Sequence, residues 1–456
     1  MKKLLLILIA AVAMITSGYG AEQEAANAAD TVKTLTKAEK KALRKQKVKE
    51  EWKAHFNFYG FARSYLTYDT RQGFAPISGL YYFVPKDVNL NEYGQDLNAT
   101  PEFRYLSITS RLGLDVKDYR YKNTHFGAKI EADFAFSANG TFAVALRLRH
   151  AYFTMTWKDL PIAGKKTAQV QMLFGQTWHP ISRGNCETLS FDTGSPFDVS
   201  NRSPQITMDA TFDNRFTLTA SLVAQMQYVS TGPEGASAVY QRNGLTPEAL
   251  LAFTYTDNGF TARAGVDVLS IRPRIIGKDS KGVDVPVKDR ITTITPYLFL
   301  EYKYKDFLIN AKTAYAEAGE HINVLSGYAV TEKLDDGTWK YTSFHTSTTW
   351  AFIQYGSKYM GSVFGGYSKN LGTYEPIHPD RTVFINGQCS PGINQYWRII
   401  PSFKVRLGKF MVGVEYHYTA AQYGDATTRN LKNGIVEDNL HWVGNHRILA
   451  LFQYSW

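Results

Sequence analysis

From residue 56 onward, apolar and polar residues alternate one for one. In residues 106–116, Leu106, Ile108, Leu112, Leu114 and Val116 hold one parity, and Ser107, Thr109, Arg111, Gly113 and Asp115 the other. Residues 126–136 set Phe126, Ala128, Ile130, Ala132, Phe134 and Phe136 against Gly127, Lys129, Glu131 and Asp133. Residues 216–228 set Phe216, Leu218, Ala220, Leu222, Ala224, Met226 and Tyr228 against Thr217, Thr219, Ser221, Gln225 and Gln227. Residues 410–420 repeat the pattern with Phe410, Val412, Val414, Tyr416 and Tyr418 against Gly413, Glu415, His417 and Thr419. A period of two with one continuous apolar face predicts a strand half buried in something apolar. These runs last about ten to thirteen residues, the length a tilted strand needs to cross a bilayer.

Sixteen strands are expected, near 56–68, 104–116, 125–136, 145–157, 168–176, 204–209, 215–228 and 248–257, then 259–271, 290–303, 306–316, 342–355, 359–369, 394–407, 409–421 and 443–456. Tight turns such as Asp257-Asn258-Gly259, Lys305-Asp306 and Gly408-Lys409 alternate with long connections at 69–103, 177–203, 229–247, 317–341, 370–393 and 422–442. Short turns at one end and long loops at the other predict an all-β fold, a transmembrane antiparallel β-barrel of about 16 strands. Only a closed barrel satisfies every backbone group of a sheet in lipid. A soluble sandwich explains neither the strand length nor the alternation of connections. After Arg147 and Arg149 the apolar parity switches to Ala151, Phe153, Met155 and Trp157, which predicts a β-bulge near His150.

Composition agrees: 29 Tyr, 27 Phe, 8 Trp and 35 Gly suit twisted, aromatic-girdled strands rather than disorder. Past the first 20 residues no apolar run reaches the ~18 residues of a spanning helix. The net charge of +10 forms no dense basic stripe, so no nucleic-acid partner is expected. The first segment reads differently. Lys2-Lys3, an apolar stretch over 4–15, and small Gly18 and Gly20 predict a signal peptide over 1–20. Residues 21–54 carry no Gly or Pro, and Thr36-Lys37-Ala38-Glu39 has capping-box spacing, so a short basic helical periplasmic extension precedes the barrel at 55–456. In the last strand Ile448, Ala450, Phe452, Tyr454 and Trp456 share one parity. That strand resembles the C-terminal signature by which bacterial outer-membrane barrels reach their assembly machinery. The expected setting is the outer membrane, with its lipid and lipopolysaccharide and the assembly machinery as partners.

Candidate chemistry lies on the other parity. Arg111, Lys129, Arg147, Arg149, Arg263, Arg398, Lys404 and Arg406 all point away from lipid. A ladder of forked, permanently charged guanidinium groups favours carboxylate or phosphate groups. The connection 177–203 holds Trp178, Glu187, Asp192 and Asp198 and is long enough to fold inward as a constriction facing those cations. The ten histidines form no ligand-spaced cluster, and no nucleophile motif stands out, so no metal, cofactor or enzymatic activity is expected. Cys186 and Cys389 lie in long loops, where an oxidising route permits a disulfide.

Five segments carry a family resemblance: Phe58-Tyr59-Gly60-Phe61-Ala62-Arg63, Arg147-Leu148-Arg149-His150-Ala151-Tyr152, Phe174-Gly175-Gln176-Thr177-Trp178, Glu187-Thr188-Leu189-Ser190-Phe191 and Ser203-Pro204-Gln205-Ile206. Together they resemble the DcaP-like outer-membrane porins. The chain departs from that pattern at His179-Pro180 and at Cys186. The resemblance implies a homotrimer of sixteen-stranded barrels with a short N-terminal helical extension, passing small, negatively charged solutes such as dicarboxylates. The expected function is passive, anion-preferring diffusion. The alternative is a non-conducting structural or adhesive barrel that binds an external partner through its loops.

Overall fold

The computed structural model describes Lys41, Arg44, Gln46 and residues 55–137, 144–162, 167–385 and 391–456. The chain divides into Met1–Phe56 and Asn57–Trp456. In the first unit Lys41, Arg44 and Gln46 are helical and exposed. The expected signal peptide, most of the extension and Cys389 lie outside the described residues.

The second unit is built on sixteen antiparallel strands. The first six are β1 (Phe56–Asp69), β2 (Glu102–Leu106 and Arg111–Tyr121), β3 (Thr124–Ser137), β4 (Val144–Pro161), β5 (Thr167–Trp178) and β6 (Arg202–Phe212). Next come β7 (Phe216–Val223), β8 (Glu248–Asp257), β9 (Phe260–Ile271), β10 (Ile291–Tyr304) and β11 (Phe307–Glu317). The circuit finishes with β12 (Trp339–Tyr355), β13 (Tyr359–Thr373), β14 (Ile393–Leu407), β15 (Phe410–Tyr423) and β16 (His441–Ser455). Each strand pairs with its neighbour in the chain, and β1 pairs with both β2 and β16: Leu66 lies opposite Tyr105 on one side and Ala450 on the other. The sheet is closed and has no edge.

Burial is inside out relative to a water-soluble protein. On β10, Ile294, Leu298, Leu300 and Tyr302 are exposed on the outer wall, whereas Thr293, Thr295, Tyr297 and Phe299 are buried inside. Hydrocarbon takes the outer apolar face, and the buried polar groups face each other across the lumen. Tight turns hold the short end. In the turn between β8 and β9, Asn258 and Gly259 have φ of 49° and 81°, the paired positive values that match strand twist in a two-residue hairpin.

All sixteen expected strands are present, and two local expectations resolve in detail. Glu131 lies opposite His150 and Ala132 opposite Leu148, which leaves Arg149 unopposed. That bulge turns Arg149 and His150 to the same inner side, where both are buried, and produces the parity switch. The strand expected at 215–228 instead ends at Val223. Ala224 N–H still bonds the Pro204 carbonyl at 2.9 Å, but Pro204 has no N–H to return. Gln225 N–H then goes to the Gln241 side chain at 2.7 Å. Tyr228, which parity places on the lipid side, sits inside with its ring 6.4 Å from that of Tyr81.

Three long connections turn into the lumen, where alternation predicts one. The connection 70–101 buries Leu80, Tyr82, Phe83 and Val84 completely or nearly so. Arg447 on β16 holds it by donating to Asp69 at 2.8 and 2.9 Å and to the Gly79 carbonyl at 2.6 Å. The connection after β11 buries Ile322 and Val324, and its Asn323 donates to the Tyr81 hydroxyl at 2.7 Å. The third is the expected constriction loop, residues 179–201.

Candidate functional site

Loop 179–201 leaves β5 after Trp178 and is fastened to the wall at separate points. Glu415 on β15 accepts the backbone N–H of Leu189, and that of Ser190 at 2.9 Å. Asp198 pairs with Lys312 on β11 at 2.8 Å, both side chains fully buried. Arg398 on β14 donates to Asp192 at 3.2 Å and to the Ser195 carbonyl at 2.9 Å. Its remaining N–H groups reach Thr419 and the carbonyls of Tyr82 and Phe83. Arg398 therefore clamps two inward loops and keeps no free donor.

Between this loop and the wall lies a cavity of about 380 Å³ lined by Arg63, Arg111, Arg149, Arg202, Lys404 and Arg406. Among the described lining residues Glu187 is the one carboxylate. Its side chain is 56% exposed and lies 3.8 Å from the Lys404 ammonium. Trp178 forms part of the same lining, with the Arg202 guanidinium 4.7 Å and that of Arg149 6.0 Å from its ring.

The arginines divide by what holds them. Arg147 forms a bidentate pair with Asp133 at 2.9 and 2.7 Å. Arg149 bridges Glu131 at 2.7 Å and Asp133 at 2.9 Å. Arg111 sits 3.3 Å from the same Glu131. Three arginines therefore share two carboxylates, and the patch keeps net positive charge. Arg202 has no carboxylate within ion-pair distance among the described residues. Its Nε donates to Gln227 at 2.9 Å, while its buried Nη1 has no hydrogen-bond partner. Arg63 is held by neutral groups, the Gln453 side chain at 2.7 Å and the Tyr65 hydroxyl at 3.1 Å.

The structure therefore brings Arg111, Arg149, Lys404, Arg406, Trp178 and Glu187 of the expected set to one cavity. Arg147 stands beside it, with its guanidinium 5.5 Å from the Phe191 ring. Lys129 lies apart, 3.3 Å from Asp115, in a second cavity of about 430 Å³. Arg263 donates to Tyr297 and Thr254 and does not line the cavity. Asp192 and Asp198 meet the wall cations Arg398 and Lys312 as buried anchors and do not line the cavity.

Sequence reading passed over Arg63 and Arg202. Arg63 shares inward parity with Tyr65 and Thr67, a signal that was available. Arg202 shares parity with the exposed Ile206 yet is buried at the strand end, against the Trp178 ring.

No family model and no curated protein matches the chain. Among solved structures it is similar to the outer membrane channel DcaP of Acinetobacter baumannii, with a TM-score of 0.62 and 18% identity over 88% of this chain and 97% of that one. OmpT of Vibrio cholerae, in a trimer form, gives a TM-score of 0.49 at 13% identity over 88% and 99% of the two chains. OprB of Pseudomonas putida gives 0.47 at 9% identity over 90% and 96%. The chain has the DcaP-like porin fold.

Proposed function

We propose that the chain is an outer-membrane porin that passes small anionic, carboxylate-bearing solutes down their concentration gradient. One observation carries this reading: the cavity under the constriction loop gathers six cationic side chains against the single carboxylate of Glu187. A water-filled passage with low-dielectric walls, lined with one sign of charge, concentrates counter-ions and excludes co-ions. Guanidinium forks favour planar carboxylates. The mechanism requires no bond making: a solute leaves water for successive guanidinium and ammonium partners, each screened enough to release it.

The homotrimer that the family resemblance implies is part of this reading, with a polar spot on the outer wall as a candidate contact. Ser64 and Ser107 pair their hydroxyl groups at 2.7 Å on the outer parity of β1 and at the break in β2. Polar groups on an outward face are better covered by a neighbouring barrel than by hydrocarbon. The cleaved signal peptide and basic extension belong to the same reading. A second reading, a non-conducting barrel that binds an external partner, draws on the inward packing of Phe83, Phe197 and Ile322 across the lumen.

Planar-bilayer recording of the purified protein distinguishes the two. The expected result is stable single-channel conductance with anions more permeant than cations. Swelling of loaded liposomes should be faster with carboxylates than with neutral sugars of equal size. Absence of conductance supports the second reading.

A further inference from the structure

Four ionisable side chains sit together in the wall beside the constriction loop, away from the basic cavity. His179 opens loop 179–201, Glu248 begins β8, Asp267 lies on β9, and His321 belongs to the short 3-10 turn Gly319–Ile322. None is more than 1% exposed. His179 Nε2 is 2.8 Å from Glu248 Oε1 and 3.8 Å from Asp267 Oδ1. His321 Nε2 is 3.5 Å from Glu248 Oε1 and 3.4 Å from Asp267 Oδ2. Ligands about 2.0–2.2 Å from a tetrahedral ion stand about 3.3–3.6 Å apart; donor atoms of His179, Glu248 and Asp267, one from each, lie within 4.8 Å of one another, with His321 beside them.

Hydrogen bonding accounts for only part of the cluster, the His321 Nε2 contact to Asp267 Oδ2 at 3.4 Å. His179 Nε2 and Glu248 Oε1 are close but out of line, and neither makes a hydrogen bond. Glu248 Oε2 and Asp267 Oδ1 are also buried without a partner. The surroundings are apolar, with Ile181, Val199, Leu250, Ile322 and Val324 packed about them. Two carboxylates in such a place need a compensating cation, which either a protonated imidazole or a bound ion can supply. A divalent ion would balance both while leaving the imidazoles neutral. His179 Nδ1 accepts the Ile181 N–H at 3.2 Å. Loading at Nε2 moves the ring proton to Nδ1, which then no longer accepts the Ile181 N–H, so binding costs that one long hydrogen bond.

We infer that His179, Glu248 and Asp267 form a site for a divalent transition-metal ion of the zinc class, which fastens the constriction loop to the barrel wall, with His321 holding Asp267 from the neighbouring loop. An imidazole nitrogen among the donors, with water completing the shell, suits such an ion better than calcium or magnesium, which take oxygen. The same junction is tied by Asn201 Nδ2 donating to the His321 carbonyl at 2.7 Å and Ser200 N–H to the Ile322 carbonyl at 2.9 Å. The site is independent of the solute that the barrel passes.

The test refolds the full chain into detergent with a chelator, with Zn²⁺ or with Co²⁺, followed by removal of free metal. Elemental analysis should find about one tightly held ion per folded chain, and the loaded barrel should melt several degrees above the chelated one. The cobalt form should show the intense visible d–d absorption of a four-coordinate ion. His179→Gln/His321→Gln should lose both ion and absorption while keeping heat-modifiable mobility. If that pair fails to fold, Glu248→Gln should change the cobalt spectrum. Substoichiometric metal, a weak six-coordinate spectrum, or equal uptake by the variants would each overturn the assignment.

Discussion

Arg398 directs all of its N–H groups to Thr419, Asp192 and three loop carbonyls, whereas Arg202 leaves Nη1 without a partner. Charge is equal at the two positions, so the difference in role comes from what surrounds them. Arg398→Met strands a buried Asp192 and four acceptors, and should cost about 3–5 kcal/mol, the scale of breaking a buried pair. A lowered melting temperature and noisier single-channel current would report the freed loops. Arg202→Gln removes a charge with no ion-pair partner, so the barrel should fold normally while its anion preference falls several-fold. Salt screens charge in the passage within about 8–10 Å at physiological ionic strength but a buried group much less, so the deficit should shrink only modestly as salt rises. Arg149→Gln is a third case, because Glu131 and Asp133 stay behind. It should lower both stability and anion preference, and adding Asp133→Asn should recover part of the stability. A strictly additive double-mutant cycle would show that the two side chains are not coupled.

At the level of elements, the constriction loop is seated by missing side chains as much as by ion pairs. A Cβ at Gly366 on β13 would stand 2.4 Å from the Phe197 ring, and one at Gly413 on β15 would stand 2.3 Å from Leu189 Cδ1. Loop and wall approach that closely because those wall positions have no side chain. Gly366→Val should displace the tip of the loop without touching the outer face. Conductance should change while heat-modifiable mobility persists, and an unaltered current trace would mean that the loop lies elsewhere in the membrane. The barrel seam makes a similar demand. Trp456 N–H donates to the Gly60 carbonyl at 3.2 Å, and a Cβ at Gly60 would meet the Trp456 ring at 2.5 Å. Trp456→Ala should reduce the amount of folded barrel recovered from membranes with little effect on the conductance of the molecules that do fold.

For the whole molecule, the outer wall and the lumen impose opposite selection on adjacent residues. Lipid exposes Leu298 and Leu300 and the lumen buries Tyr297 and Phe299 on the same strand. Assembly beyond one barrel is the property to probe at this scale. Removing residues 21–54 behind an intact signal should leave a folded, heat-modifiable barrel but weaken the oligomer seen on unheated gels. Loss of membrane insertion on that deletion would assign the extension to barrel folding instead.

The strands, their number, their inward and outward faces and the bulge near His150 were all legible before any coordinates, because a bilayer enforces a two-residue period along every strand and closure leaves little freedom in counting. Parity also placed Arg111, Arg149, Lys404 and Arg406 on the lumen side. It could not say which cations stay available, since Asp133 reaches Arg147 across a strand pair whereas Asp192 reaches Arg398 from a loop far away in the chain. The inward turn of residues 70–101, the burial of Tyr228 and Arg202, and the meeting of His179 with His321 depend on such non-local contacts. No period marks them, because loops answer to the packing of their own tips against a wall that exists only once the barrel has closed.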